Sequence, residues 1–133
     1  MKYNKNVSSS RRKQRKAHFT ANQAERRIRM SSTLSKELRA KYGFRSFPVR
    51  TQDKVTVMAG KFKKLQGVVT AVRRKEYKVY VDSCENTLSN GKKQPVGIDA
   101  SNLRIDEFCM ENGRQGLLEK KAEKRKVIAV EEN

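Results

Sequence analysis

Lys61, Lys63 and Lys64 stand between Gly60 and Gly67, an arrangement suited to contact with phosphate. An ammonium group is a mobile point charge, and glycine lets a backbone turn tightly or approach a ligand closely. Other cations cluster on either side of this loop. Arg11, Arg12, Lys13, Arg15 and Lys16 form one group, and Arg26, Arg27 and Arg29 form a second. Arg45 and Arg50 flank Phe47 and Val49, and Arg73, Arg74 and Lys75 make a basic turn. Before residue 51 the only carboxylates are Glu25 and Glu37. Such groups neutralise phosphates and release counterions, and a guanidinium fork also binds phosphate bidentately or stacks on an unpaired base. These sixteen cations are the candidate RNA contacts, with Gly60 and Gly67 as the turn residues of the loop.

The bulk numbers agree. The chain has 133 residues and a formal net charge of +18, with hydrophobic and charged residues at 35% each. That excess implies a polyanionic partner: nucleic acid first, an acidic membrane surface second. Apolar content suffices for a modest core, while the remainder cannot bury enough surface to fold alone.

Other chemistries lack their residues. His18 is the single histidine, and Cys84 and Cys109 lie 25 positions apart without a second ligand pair. A zinc site and histidine-based catalysis are therefore not expected, and the cysteines read as reduced thiols of a cytosolic or nuclear protein. Asp53, Asp82 and Glu85 form an imaginable acid/base set, but turn and strand-end roles suit them better. There is no nucleotide-binding glycine fingerprint, so neither an enzyme, a cofactor nor a small-molecule substrate is expected. No apolar run reaches the length of a membrane span, and no secretory signal is expected at the N-terminus.

The elements that would position the cations follow from periodicity. Val55 and Val57 alternate with Lys54 and Thr56, as in a half-buried strand. Val68 to Val72 is a nearly continuous β-branched run, which predicts a strand buried on much of both faces. Tyr77, Val79 and Val81 alternate in a third strand. Asn90-Gly91 signals a hairpin turn, Pro95 fits a sheet edge, and Leu103 and Ile105 supply a closing strand. The expectation is a strongly curved sheet of about five strands. In the arm, Ser8 to Ser10 could cap a short cationic helix, Thr20 and Gln23 fit a capping box for a helix over 21–30, and Ser31 to Thr33 could cap a helix over 34–42 ended by Gly43. Leu34, Leu38 and Tyr42 would share its docking face. Pro48 keeps Phe47 extended. Near the C-terminus a marginal helix is expected over 117–126, with Leu117, Leu118 and Ala122 on its apolar side, followed by an acidic-ended tail.

The spacing Val57, Gly60, Lys63, Gly67, Val69 resembles the KOW motif, a small β-barrel element of ribosomal proteins and transcription elongation factors. The motif's usual pattern has glycine directly after the lysine, where this chain has Lys64. The arm carries a second, independent likeness. Met30 to Tyr42 with Arg45 to Arg50, the opening Met1 to Asn4, and Arg15 to Phe19 resemble the KOW-containing large-subunit ribosomal protein family, universal number twenty-four and eukaryotic number twenty-six. The likeness runs in order over residues 1–106 and looks eukaryotic.

The resemblance implies a mainly β fold with helical extensions: a basic, partly helical arm at 1–50, an SH3-like KOW β-barrel at 51–108, and a charged C-terminal helix and tail at 109–133. It implies a structural constituent of the large ribosomal subunit, bound to the 5′ region of large-subunit rRNA near the nascent-chain exit and joining early in assembly. Neighbouring ribosomal proteins would be partners. The location would be the cytosolic ribosome, with nuclear and nucleolar passage. Plainer readings fit the same residues: a hairpin with a solvated lysine loop, and a nuclear import signal or solvated tail for the arm. A KOW-containing transcription or RNA-processing factor is the rival function.

Overall fold

The computed structural model describes residues 2–131; Met1 of the opening motif and Glu132 and Asn133 of the expected tail lie outside them. In chain order the elements are α1 (Arg11–Phe19), α2 (Gln23–Arg29), β1 (Ser31–Leu34), α3 (Lys36–Tyr42), β2 (Ser46–Pro48), β3 (Lys54–Val57), β4 (Gln66–Arg73), β5 (Lys78–Thr87), β6 (Lys93–Ile98), a 3₁₀ turn (Ala100–Asn102), β7 (Leu103–Glu107) and α4 (Arg114–Glu131).

The seven strands form one mixed sheet in the order β2-β1-β7-β3-β4-β5-β6. All neighbours are antiparallel except β1 and β7, which run parallel. Each strand contributes to a single core: Leu34, Phe47, Val55, Val69, Val79, Val81, Ile98, Leu103 and Ile105 are all buried within it. A sheet can enclose one core from all its strands only by curling. Register shifts between Lys54 and Val55, between Val69 and Ala71, and between Tyr80 and Glu85 supply the bends. The result is mainly β with helical extensions and barrel-like, as expected.

Two of the seven strands come from the segment read as an arm, which is why about five were expected. Ser31–Leu34 is a strand, not a helix cap. Alternate residues Ser32 and Leu34 are buried, and the Ser32 hydroxyl donates to the Ala100 carbonyl. Pairing to β2 and β7 outweighs the capping propensity of the serines. The helix that follows begins later, with Ser35 accepting from the Leu38 amide, and ends as expected on Gly43 at φ 74°. Leu38 and Tyr42 do pack on the core from α3, whereas Leu34 reaches it from β1.

Other local expectations shift for similar reasons. The capping box of α2 is Asn22 with Glu25, not Thr20 with Gln23: Asn22 Oδ1 accepts from the Glu25 amide at 2.8 Å, and Glu25 Oε2 from the Asn22 amide at 3.3 Å. Ser10 precedes α1 but makes no side-chain cap bond. On β3, Thr56 is buried as well as its valine neighbours, its hydroxyl donating to Asp106. On β4 only Val69 is fully buried, and the register against β5 shifts directly after it, between Val69 and Ala71. Tyr77 lies in the turn at φ 55°, just before β5. Pro95 does sit on an edge strand, β6.

The C-terminal helix starts earlier than 117 and is fastened by a contact the sequence concealed. Arg114 is fully buried and meets the fully buried Asp53 at 2.5 and 2.9 Å, while also donating to the Pro48 carbonyl at 3.0 Å. Asp53 accepts from the Arg50 and Cys109 amides too. The guanidinium lies 4.7 Å from the Phe108 ring centre and 5.5 Å from that of Phe47. One turn later Leu118 enters the core, with Ala122 partly buried and Leu117 exposed. Lys121 donates to the Ser46 carbonyl at 2.7 Å over the Phe44 and Phe47 rings, and burial lowers its pKa.

Candidate nucleic-acid interface

The loop between β3 and β4 is a tight turn stack. Gly60 has φ 93°, its carbonyl accepts from the Lys63 amide at 3.2 Å, and the Val57 carbonyl accepts from the Lys64 amide at 2.8 Å. Lys64, at the position where the motif usually has glycine, takes φ 74°. The left-handed turn is therefore kept and a lysine occupies it. Gly67 serves differently: a Cβ there would lie 2.2 Å from Asp82 Oδ1 and 2.6 Å from Val81 Cγ1, so β4 can pass β5 at this point only without a side chain. Phe62 packs partly on the core, which leaves Lys61, Lys63 and Lys64 exposed. Lys61 Nζ donates to Asn86 Oδ1 at 2.9 Å.

The turn between β4 and β5 carries Arg73, Arg74 and Lys75, all exposed. It is tied to the helices of the arm. Tyr77 donates its hydroxyl to the His18 carbonyl at 2.7 Å and stacks on the His18 ring at 4.1 Å and 20°. Arg26 donates to three carbonyls: Ala21 at 2.8 Å, Phe19 at 3.0 Å and Lys75 at 3.4 Å. A half-buried guanidinium thus clamps the end of α1, the start of α2 and the β4–β5 turn together.

Three open clefts adjoin along this junction. One of about 600 Å³ gathers Arg50, Arg74 and Lys75 with Gln23 and Asn112. The next, about 640 Å³, is walled by His18, Phe19, Arg26, Arg29, Lys75 and Lys78 among others. The third, about 240 Å³, includes Lys61, Phe62, Lys78 and Asn86. Lys75 lines the first two, and Lys78 and Asp99 line the second and third, so the clefts follow one another across the surface. Cations from α2, the loop after β2, the β3–β4 loop and the β4–β5 turn are brought to one track.

The remaining sequence candidates stand apart from these clefts. Arg11, Arg12, Lys13, Arg15 and Lys16 are exposed on α1, which buries no residue, and Arg15 lies 4.8 Å over the Phe19 ring. Arg27 is half-buried on α2; Arg45, Lys63 and Lys64 are exposed. Arg73 is 3.6 Å from Glu76 and lies over the Tyr80 ring. Sequence reasoning passed over Lys78, Gln23, Phe19 and Tyr77. Lys78 pairs with Asp99 at 2.8 Å at the boundary of two clefts. The interleaving of His18 and Phe19 with the cations of α1 was the available signal for an aromatic surface beside the charges.

Among the described residues, no three His, Cys, Asp or Glu side chains are grouped to hold a metal ion, and no helix is long and apolar enough to cross a membrane.

Comparison with known proteins adds lineage to this geometry. A family model that describes the eukaryotic ribosomal proteins L26 together with their archaeal counterparts matches residues 8–121. The chain is 48% identical over 121 residues to the large ribosomal subunit protein uL24 of Dictyostelium discoideum, covering 91% of this chain and 87% of that protein. Its counterpart in Schizosaccharomyces pombe is 44% identical, with 93% and 98% covered, and that of Candida albicans is 40% identical, with 92% and 97% covered.

Proposed function

The chain belongs to the family of eukaryotic ribosomal proteins L26 and their archaeal counterparts, and from that membership we propose that it binds large-subunit rRNA along the cationic track and the exposed face of α1. It is a structural constituent of the ribosome and not an enzyme. Its partners are ribosomal RNA and ribosomal proteins, and its location is ribosome-associated.

The observation that carries the finer reading is the convergence of Arg50, Arg74 and Lys75 around one cleft. Like charges repel, so three cations lining one cleft are best accommodated by phosphate between them. The sixteen cations named from the sequence are the proposed contacts, and Gly60 and Gly67 shape the loop that offers three of them. Labour divides as follows: residues 1–50 supply most of the arginines and two strands of the sheet, 51–108 the other five strands of the KOW domain, and 109–133 include the helix Arg114–Glu131 that buttresses it. By the family's pattern the RNA is the 5′ region of the large-subunit rRNA near the nascent-chain exit. The protein joins the particle early, in the nucleolus, and serves in the cytosol.

The test is equilibrium binding of the full chain to a large-subunit rRNA 5′-region transcript across a salt series. Replacing Arg50, Arg74 and Lys75 together by alanine is expected to make the slope of log K against log salt shallower by about 2–3. An unchanged slope removes the cleft from the contact surface.

A further inference from the structure

We propose that the cleft between α1, α2 and the β4–β5 turn holds one unpaired nucleobase of the bound RNA, seated against Phe19, while the clefts on either side hold its flanking phosphates. This rests on the RNA-binding reading and assigns a distinct task to one part of the track.

The three clefts differ in chemistry. One flanking cleft presents Arg50, Arg74 and Lys75 and no carboxylate; the other presents Lys61, held by the neutral Asn86 amide, with Asp99 only at the edge it shares with the middle cleft, where Lys78 pairs it. The middle cleft is the roomiest and is mixed. Glu76 and Asp99 line it beside the cations. A phosphate placed against those carboxylates would be repelled, whereas the amino and imino edges of a base are donors that a carboxylate accepts. Its walls also carry rings. Phe19 is 58% exposed, which leaves its ring open to a ligand, and it lines the cleft beside His18. The His18 ring is held in place by the stacked Tyr77 ring and by the Tyr77 hydroxyl bond to its carbonyl. Arg26 fixes the Phe19 carbonyl. The His18 ring and the backbone at Phe19 are thus set before any ligand arrives, and Arg15 lies 4.8 Å over the Phe19 ring, which lowers the ordering cost of binding. A splayed-out base stacking on a fixed ring, with charge-assisted contacts to its backbone on either side, is the standard physics of single-strand recognition.

The experiment uses the full chain and two RNAs that differ at one position: a short duplex with a single bulged 2-aminopurine, and the same duplex with an abasic bulge. Wild type is expected to bind the base-bearing RNA roughly ten-fold more tightly than the abasic one, and to change the fluorescence of 2-aminopurine. Phe19→Leu keeps an apolar side chain at an exposed position and removes the ring. It is expected to erase that ten-fold difference while leaving abasic binding and the circular dichroism spectrum unchanged, and Phe19→Trp is expected to restore the difference. Equal wild-type affinity for the two RNAs, or a preference that survives Phe19→Leu, overturns the base cleft. If neither RNA is bound in a salt-dependent manner, the RNA-binding reading itself fails, which separates the two failures.

Discussion

Replacing Asp53 by asparagine should be among the most damaging single changes this chain can suffer. Asp53 and Arg114 are both 0% exposed, and the carboxylate accepts four hydrogen bonds: two from the guanidinium and one each from the Arg50 and Cys109 amides. Asparagine keeps the shape but sets an NH₂ donor against guanidinium donors and leaves a cation buried without its counter-ion. Breaking one partner of such a pair costs about 3–5 kcal/mol, against a total stability of roughly 5–15 kcal/mol for a domain. Arg114→Met should cost a similar amount by stranding the carboxylate. The pair itself is not ideal, since Arg114 Nε is buried with no hydrogen-bond partner. The double variant should therefore lose less than either single one, with a coupling of at least about 2 kcal/mol. Urea denaturation followed by far-ultraviolet circular dichroism reads all four corners of the cycle. Additive losses, or a cost below about 1 kcal/mol for Asp53→Asn, would refute the idea that this pair fastens α4 to the sheet.

Three further outcomes follow from single atoms. Lys64→Gly removes a left-handed lysine at φ 74°; urea denaturation should show a gain of up to about 1 kcal/mol, while the RNA salt slope falls by about one charge. Gly67→Ala would set a Cβ 2.2 Å from Asp82 Oδ1, 2.5 Å from Ser83 Oγ and 2.6 Å from Val81 Cγ1, and a loss of about 1–3 kcal/mol is expected by the same assay. Burial, with a smaller push from Asp82, raises the Cys84 thiol above the usual 9.0. Its folded pKa being the higher, the thiol's contribution to stability is complete below pH 9 and is lost as pH rises through the raised value; at pH 8 iodoacetamide should label the half-buried Cys109 first and Cys84 only on unfolding, as read by peptide mass spectrometry.

What the sequence revealed and what it hid have physical causes. The strands of the KOW region were legible because alternation at Val55–Val57 and Val79–Val81 is a local pattern with a buried face. The Ser31–Leu34 strand was not, since serine and threonine signal a helix cap locally and become a strand only through pairing with Ser46–Pro48 and with Arg104 and Ile105, all distant along the chain. Arg114 drew no reading at all from the sequence, because its burial depends on Asp53, 61 positions distant. The cations proposed as contacts stood out by charge density, but their grouping did not. Arg50, Arg74 and Lys75 meet only when the sheet curls, and the role of Arg26 as a clamp on three carbonyls depends on where the β4–β5 turn lands. Phe19 entered only through the family likeness, and its exposure beside the β4–β5 turn emerges only from the fold.

The claim that cations on this fold embed it among many rRNA phosphates is tested most directly by sedimenting a cell lysate through sucrose gradients at low and then high monovalent salt and probing for this chain. Quantitative co-migration with large subunits that survives the high-salt wash is the expected result, because an integral component is held by many contacts screened from bulk ions. Release into the top fractions by salt, or absence from large subunits at either salt, would contradict it.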